Sequence, residues 1–120
     1  MPVSEEYRNY ILERLECVGE VTARKMFGGL GLYLDGVFFA LAADNILYFK
    51  VDDINLPDYE ARGTGPFKPF GENSYSMSYY EVPAEILEDD EALAIWANKA
   101  YDAALRSKSR RSGTKRRKPG

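Results

Sequence analysis

The feature that most restricts the fold is the dipeptide Asp35-Gly36, which lies between two alternating apolar segments. Asp and Gly both tolerate the positive φ of a type I′ turn, so this pair predicts a β-hairpin. The strands of this hairpin run from Leu30 to Leu34 and from Val37 to Ala42. Counting outward from the turn brings apolar residues opposite one another on one face: Leu34 with Val37, Leu32 with Phe39 and Leu30 with Leu41. We interpret this face as the one that packs on the core.

The next turn is predicted from the strand register. A two-residue loop at Asp44-Asn45 would place Phe39 opposite Lys50, and a cation would then join the core face. A three-residue loop that also includes Ala43 gives only apolar pairs: Leu41 with Leu47, Phe39 with Phe49 and Val37 with Val51. We therefore predict the three-residue loop, with Asn45 in the left-handed position.

The remaining segments predict a two-layer α+β domain with an antiparallel sheet packed against N- and C-terminal helices. Ser4 is the expected cap of a first helix that ends at Gly19. Further strands are predicted at 21–27 and 74–82, with a short helix from Asn55 to Arg62. A last helix begins at Asp89 or Asp90 and ends near Ser107.

The run Arg24-Lys25-Met26-Phe27-Gly28-Gly29 resembles the signature of the TfoX N-terminal domain family. The resemblance spans roughly residues 15 to 105 and continues through Leu47-Tyr48-Phe49-Lys50-Val51-Asp52, Gly65-Pro66-Phe67 and Tyr79-Tyr80-Glu81-Val82-Pro83. It implies a sheet backed by helices and a bacterial regulator linked to natural competence. It also implies action through a transcription factor, the cyclic-AMP receptor protein. The family offers no known catalytic residues and no cofactor to carry over.

The composition narrows the possible chemistry. The chain has no histidine, which excludes Ser-His-Asp and Cys-His catalysis and the common zinc sites. Its single cysteine, Cys17, is interpreted as a half-buried packing residue. The absence of an internal disulfide, of a long apolar run and of a signal-peptide pattern indicates a cytoplasmic protein without a membrane span.

Charge is distributed very unevenly along the chain. All 19 acidic residues lie at or before Asp102, while half of the 16 Lys and Arg residues follow Leu105. The body of the chain, residues 1–105, thus carries a net charge of −11, and the C-terminal segment, residues 106–120, carries +8. We predict a domain over residues 1–106 and a disordered basic tail over 107–120. The candidate phosphate contacts begin with Arg106 at the end of the last helix and continue through the tail. They are Arg106, Lys108, Arg110, Arg111, Lys115, Arg116, Arg117 and Lys118.

The outer face of the sheet is unusually aromatic. The predicted register gives it Tyr33, Phe38, Tyr48 and Lys50. Three interpretations stay open: burial under another part of the chain, an interface with a partner or a second copy, and stacking of bases. In the signature, Arg24 and Lys25 alternate to opposite faces, so a structural role for them and for Met26, Phe27, Gly28 and Gly29 is favoured over a joint phosphate site.

These observations predict a non-enzymatic regulatory domain that binds a protein partner, with weak nucleic-acid affinity from its tail and no cofactor or metal. A homodimer is a further expectation. The alternative is a small ligand-binding domain or an enzyme that uses carboxylates and tyrosines. A deep polar pocket lined by such residues with shifted pKa values would favour that alternative.

Overall fold

The computed structural model describes residues 2–26, 28–68 and 76–117, and the side chains of Ser76, Met77 and 110–117 lie outside that description. Helix α1 (Glu5–Arg14) continues as a 3₁₀ turn (Leu15–Cys17). Four strands follow, β1 (Val21–Met26), β2 (Gly29–Leu34), β3 (Val37–Ala43) and β4 (Ile46–Lys50). The chain continues with α2 (Leu56–Arg62), β5 (Pro66–Phe67), β6 (Ser76–Glu81), α3 (Ala84–Leu87) and α4 (Asp90–Arg117).

The six strands form one antiparallel sheet in the order β1-β2-β3-β4-β6-β5. Helices α1, α3 and α4 supply residues to a single core with the inner face of this sheet, including Ile11, Ile86 and Leu93. The α+β class predicted from the sequence is therefore confirmed. The 28-residue helix α4 contributes a stripe of buried residues to this core, namely Leu93, Trp96, Ala97, Ala100 and Ala104.

Local sequence accounts for the helix ends. The Ser4 hydroxyl accepts a hydrogen bond from the backbone N–H of Tyr7 at 3.0 Å, which satisfies one of the free donors of the first turn. Glu5 and Glu6 follow in that turn, where the helix dipole favours anions. Helix α2 ends at Gly63, whose φ of +74° is left-handed.

The β2–β3 hairpin departs from the predicted register at Phe39. Val37 pairs with Leu34 and Phe38 with Tyr33, but Leu32 pairs with Ala40, which leaves Phe39 as an extra residue in a β-bulge. Phe39 and Ala40 are both buried in the core. Because every later residue of β3 is displaced by one position, Leu41 lies on the outer face, and its predicted pairing with Leu30 on the core face is wrong.

The turn between β3 and β4 also differs from the prediction. Ala43 pairs with Ile46, so the loop contains only Asp44 and Asn45, with φ values of +53° and +59°. Positive φ at both positions is typical of a type I′ turn. Without the bulge, a two-residue loop would place Phe39 opposite Lys50 on the core face. With the bulge, Phe49 pairs with Ala40 and Lys50 does not face the core. The three-residue loop and its pairs are therefore wrong.

Helix α4 extends to Arg117, beyond the end predicted near Ser107. The backbone over 108–117 is helical where the composition indicated a disordered tail. Adding a turn to an established helix avoids the cost of nucleation, and Lys and Arg are good helix formers. Within the described part of the chain, no helix combines the length and apolarity that a membrane span requires.

Candidate interaction surface

The sheet has a second, smaller apolar cluster on the face opposite the main core. Leu41, Ala43 and Phe67 are buried there, and Phe38, Tyr48 and Tyr79 are partly buried against them. All six lie on strands. We call these residues, together with Tyr33, the outer aromatic face. Its rings touch in two groups. Phe38 lies 5.3 Å from Tyr33 and 5.6 Å from Tyr79, and Tyr48 lies 5.0 Å from Phe67, measured between ring centroids.

The close packing of Phe38 depends on Gly31, which pairs with Leu41 on this face. A Cβ at Gly31 would stand 2.7 Å from Met26 Cε and 3.2 Å from Phe38 Cε1. Glycine thus leaves the space that these two side chains occupy. This gives Met26 of the signature a structural role at the margin of the outer aromatic face.

Charges of opposite sign border the two ends of this face. The Arg24 guanidinium lies 5.9 Å from the Tyr33 ring centroid, and the Lys50 ammonium lies 5.1 Å from that of Tyr79, both within cation–π range. At the other end, burial and the nearby carboxylates of Glu81 and Asp44 raise the pKa of the Tyr48 phenol. The face is therefore basic at the end that carries Lys50 and acidic at the end near Glu81 and Asp44, and Arg24 borders it from the edge strand β1.

A cleft of about 420 Å³ opens at the basic end, where the C-terminal part of α4 approaches the sheet. We call it the α4 cleft. Its lining combines the outer face and the helix: Tyr33, Gly36, Val37, Phe38, Lys50, Tyr79, Ala104, Ser107 and Lys108. Three of the four residues predicted for the outer face line it, and Tyr48 does not.

The signature residues separate as alternation predicts. Arg24 is directed to the outer face beside Tyr33, whereas Lys25 lines a different opening with Arg8, Glu5, Gly28 and Gly29. Gly28 has a left-handed φ of +76° in the turn between β1 and β2. Phe27 lies outside the described residues. The two cations therefore do not form one site.

Arg106 is bound within the domain. Its Nε and one terminal nitrogen donate to the two carboxylate oxygens of Asp52 at 2.6 and 2.9 Å. These hydrogen bonds lower the pKa of Asp52 and raise that of Arg106. A guanidinium held in this bidentate pair has fewer donors for a phosphate. Lys108 is exposed, and the side chains of the other predicted tail contacts lie beyond those described.

The loop that carries Asp52 is itself well ordered by side-chain hydrogen bonds. The amide of buried Asn55 accepts from the Asp52 backbone N–H at 2.8 Å and donates to the Lys50 carbonyl at 3.0 Å. An Asp52 carboxylate oxygen also accepts from the Ile54 N–H at 3.0 Å. Asp52 is therefore a structural anchor, and its lowered pKa makes it a weak base.

Other reactive groups are dispersed. Cys17 is exposed, not half-buried as predicted, and partial burial of its sulfur raises the pKa of the thiol. Burial raises the pKa of Tyr7 to about 12 and that of Tyr59 further still. Among the described residues, no three His, Cys, Asp or Glu side chains are close enough to hold a metal ion.

The sequence comparison agrees with this architecture. The model of the TfoX N-terminal domain matches residues 13–104, more than three quarters of the chain. The chain belongs to the TfoX N-terminal domain family. None of the curated proteins compared with it gives a match. In this TfoX-type domain the signature run occupies the edge strand β1 and the turn that leads into β2.

Two aromatic members of the outer aromatic face, Phe67 and Tyr79, are not predicted by the sequence. Phe67 reaches this face through the pairing of β5 with β6, which local sequence does not indicate. Tyr79 lies within the predicted strand 74–82, but the sequence does not indicate which strands lie beside it. The alternation of 74–82 indicated a strand, but only the pairing of β6 with β4 brings Tyr79 beside Lys50. The α4 cleft depends on that pairing too.

Proposed function

We propose that this TfoX-type domain is a non-enzymatic regulatory module that binds a protein partner through its outer aromatic face. The observation that carries the proposal is the cluster of half-buried rings on the sheet face opposite the helices. Tyr and Phe are enriched at protein interfaces because they contribute large apolar area at a low entropy cost. The charges at the two ends of the face would orient a partner with complementary charges.

The partner is expected to belong to the transcription apparatus, since the family's regulators are thought to act through a transcription factor. The basic segment after Arg106 would add a weak, sequence-independent attraction to nucleic acid. It holds seven cations: Lys108, Arg110, Arg111, Lys115, Arg116, Arg117 and Lys118. Contacts of this kind release counterions from DNA and weaken steeply as salt rises. The basic segment would hold the regulator near DNA while the outer aromatic face contacts the protein partner.

A pull-down with the tagged full-length chain tests the docking face. Tyr48→Arg should abolish recovery of the partner from native extract, because it places a charge among the rings. Tyr10→Arg is the matched control, since Tyr10 is an exposed tyrosine on α1. If the wild type recovers no transcription component, or if both variants behave like the wild type, the outer face is not the docking surface. Concentration-dependent self-association that Tyr48→Arg removes would identify the partner as a second copy.

Removal of residues 110–120 tests the tail separately. This cut keeps the Arg106–Asp52 pair and Lys108, so thermal unfolding should be unchanged. Retention on DNA at about 50 mM salt should disappear, as should the steep salt dependence of retention in the full-length chain. A full-length protein that is not retained at this salt concentration would contradict the proposed nucleic-acid affinity. The proposed binding of a protein partner would not be affected by that result.

A further inference from the structure

The α4 cleft has a composition that the docking role does not require. Lys50 and Lys108 line it together, and no carboxylate is among its described lining residues. Lys50 belongs to the part of the chain whose net charge is −11, and Lys108 belongs to the basic C-terminal segment. An anion bound in the cleft would be attracted by both ammonium groups. Tyr33, Tyr79 and Ser107 add hydroxyl groups to the same lining.

We propose that the α4 cleft binds a small anion of the nucleoside monophosphate class, which combines a phosphate with a planar base. Its volume of about 420 Å³ lies within the range of small-molecule sites. The phosphate would lie between Lys50 and Lys108, since lysine binds phosphate as a point charge. Ser107 is on the same helix as Lys108 and lines the cleft with it.

The aromatic residues of the cleft supply a surface for the base. Phe38 contacts both Tyr33 and Tyr79, so three rings form a continuous group beside the two lysines. Any nucleobase can stack on such rings, because every base has an aromatic face, and one stacked base strengthens binding substantially. A purely inorganic anion would not use this part of the lining.

A second opening adjoins the α4 cleft and suits the sugar. It measures about 240 Å³ and shares Lys50 and Ser107 with the first. Its remaining lining includes Asp52, Asp53 and Ser78. Asp52 is engaged by Arg106, whereas Asp53 is exposed. A carboxylate accepts hydrogen bonds from ribose hydroxyls and repels phosphate, so the two openings together favour one orientation of a nucleotide.

The test is calorimetric titration of the full-length chain with AMP, adenosine and inorganic phosphate at about 50 mM salt. AMP should bind with a dissociation constant of about 1 mM or lower. Adenosine and phosphate should each bind at least about tenfold more weakly, because adenosine lacks the phosphate contacts and phosphate lacks the contacts of the base and the sugar. No heat of binding with AMP, or equal affinity for AMP and either fragment, would overturn the proposal.

Two serines on α4 provide a matched pair of variants. Ser107→Asp introduces a negative charge into the lining of both openings and should weaken AMP binding at least about tenfold. Ser109→Asp adds the same charge to the same helix at an exposed position outside the cleft and should change affinity less than about twofold. Equal effects of the two variants would refute a site at this cleft, and circular dichroism verifies that both are folded.

The base-binding part has its own variant. Phe38→Leu keeps an apolar side chain but removes the central ring, and it should weaken AMP at least about fivefold while leaving phosphate binding unchanged. Equal losses for AMP and phosphate would contradict stacking. Failure of this site is distinguishable from failure of partner docking, because Tyr48→Arg affects the other end of the face and should leave the AMP titration as in the wild type.

Discussion

The pair between Arg106 and Asp52 gives the most direct test of where the domain ends and the basic segment begins. Arg106→Gln removes both hydrogen bonds, at 2.6 and 2.9 Å, and leaves a carboxylate whose side chain is only 16% exposed. Hydrogen bonds between charged groups contribute about 1.5–3 kcal/mol, and the Arg106 side chain is 34% exposed. We therefore expect a loss of about 2 kcal/mol in the free energy of unfolding.

Urea denaturation followed by circular dichroism measures this loss, and a double-mutant cycle with Asp52→Asn isolates the pair. Asp52→Asn alone should cost a similar amount, because it removes the charged two-oxygen acceptor of both Arg106 hydrogen bonds. Arg106→Gln should leave DNA retention unchanged, in contrast to removal of 110–120. A coupling energy below about 0.5 kcal/mol would show that the pair behaves as an ordinary surface ion pair and would refute the argument.

The same pair predicts a pH dependence. The pKa of Asp52 is lower in the folded chain than its ordinary value, so its contribution is complete above the unfolded pKa of about 3.9. It is lost as pH falls through the folded pKa. The stability difference between the wild type and Asp52→Asn should therefore be constant from about pH 7 to pH 5 and shrink below about pH 4. A difference that grows on acidification would contradict this sign.

Substitutions at three further positions probe the fold. Tyr59→Phe should raise the free energy of unfolding by about 1 kcal/mol, because the Tyr59 hydroxyl is buried without a hydrogen-bond partner among the described residues. The phenylalanine ring would keep the packing against Trp96, whose ring centroid lies 4.7 Å away. A loss of stability in chemical denaturation would mean that the hydroxyl does form a hydrogen bond. Asn55→Ala should cost about 2 kcal/mol by leaving the Asp52 N–H and the Lys50 carbonyl unpaired, and an unchanged midpoint would show that solvent replaces both bonds. Asn45→Ala should cost about 1–2 kcal/mol and Asn45→Gly less, since alanine is strained at the φ of +59° and glycine is not. Both variants lose the hydrogen bond that Asn45 accepts from the Ser4 N–H, so equal melting temperatures would argue against a type I′ turn.

The sequence predicts the positions of the helices, strands and turns better than it predicts which residues of neighbouring strands pair. The helix cap at Ser4, the Asp35-Gly36 turn and the start of α4 all rest on local chemistry, and each is found as predicted. The error arose in β3, where residues 37–43 are apolar throughout. With no polar residue to mark the outer face, alternation alone cannot locate the extra residue of a bulge.

The α4 cleft and the Arg106–Asp52 pair illustrate a second limit. Both join positions far apart in the chain, whereas helical spacing indicates Asp102, one turn earlier on the same helix, as the neighbour of Arg106. Local spacing indicates such a neighbour, but it carries no information about a loop 54 residues away. The aromatic character of Tyr33, Phe38 and Tyr48 was visible because it needs only strand alternation.

Strand β1 has a consequence for how this domain can assemble. It lies at one edge of the sheet, and the other edge, β5, has only two residues. Arg24 and Lys25 are consecutive exposed residues of this edge strand, and their side chains lie on opposite faces. If two copies joined there, four cations would be brought together, whereas uncharged edges invite strand addition and aggregation. Arg24 and Lys25 therefore disfavour the addition of a further strand at this edge of the sheet.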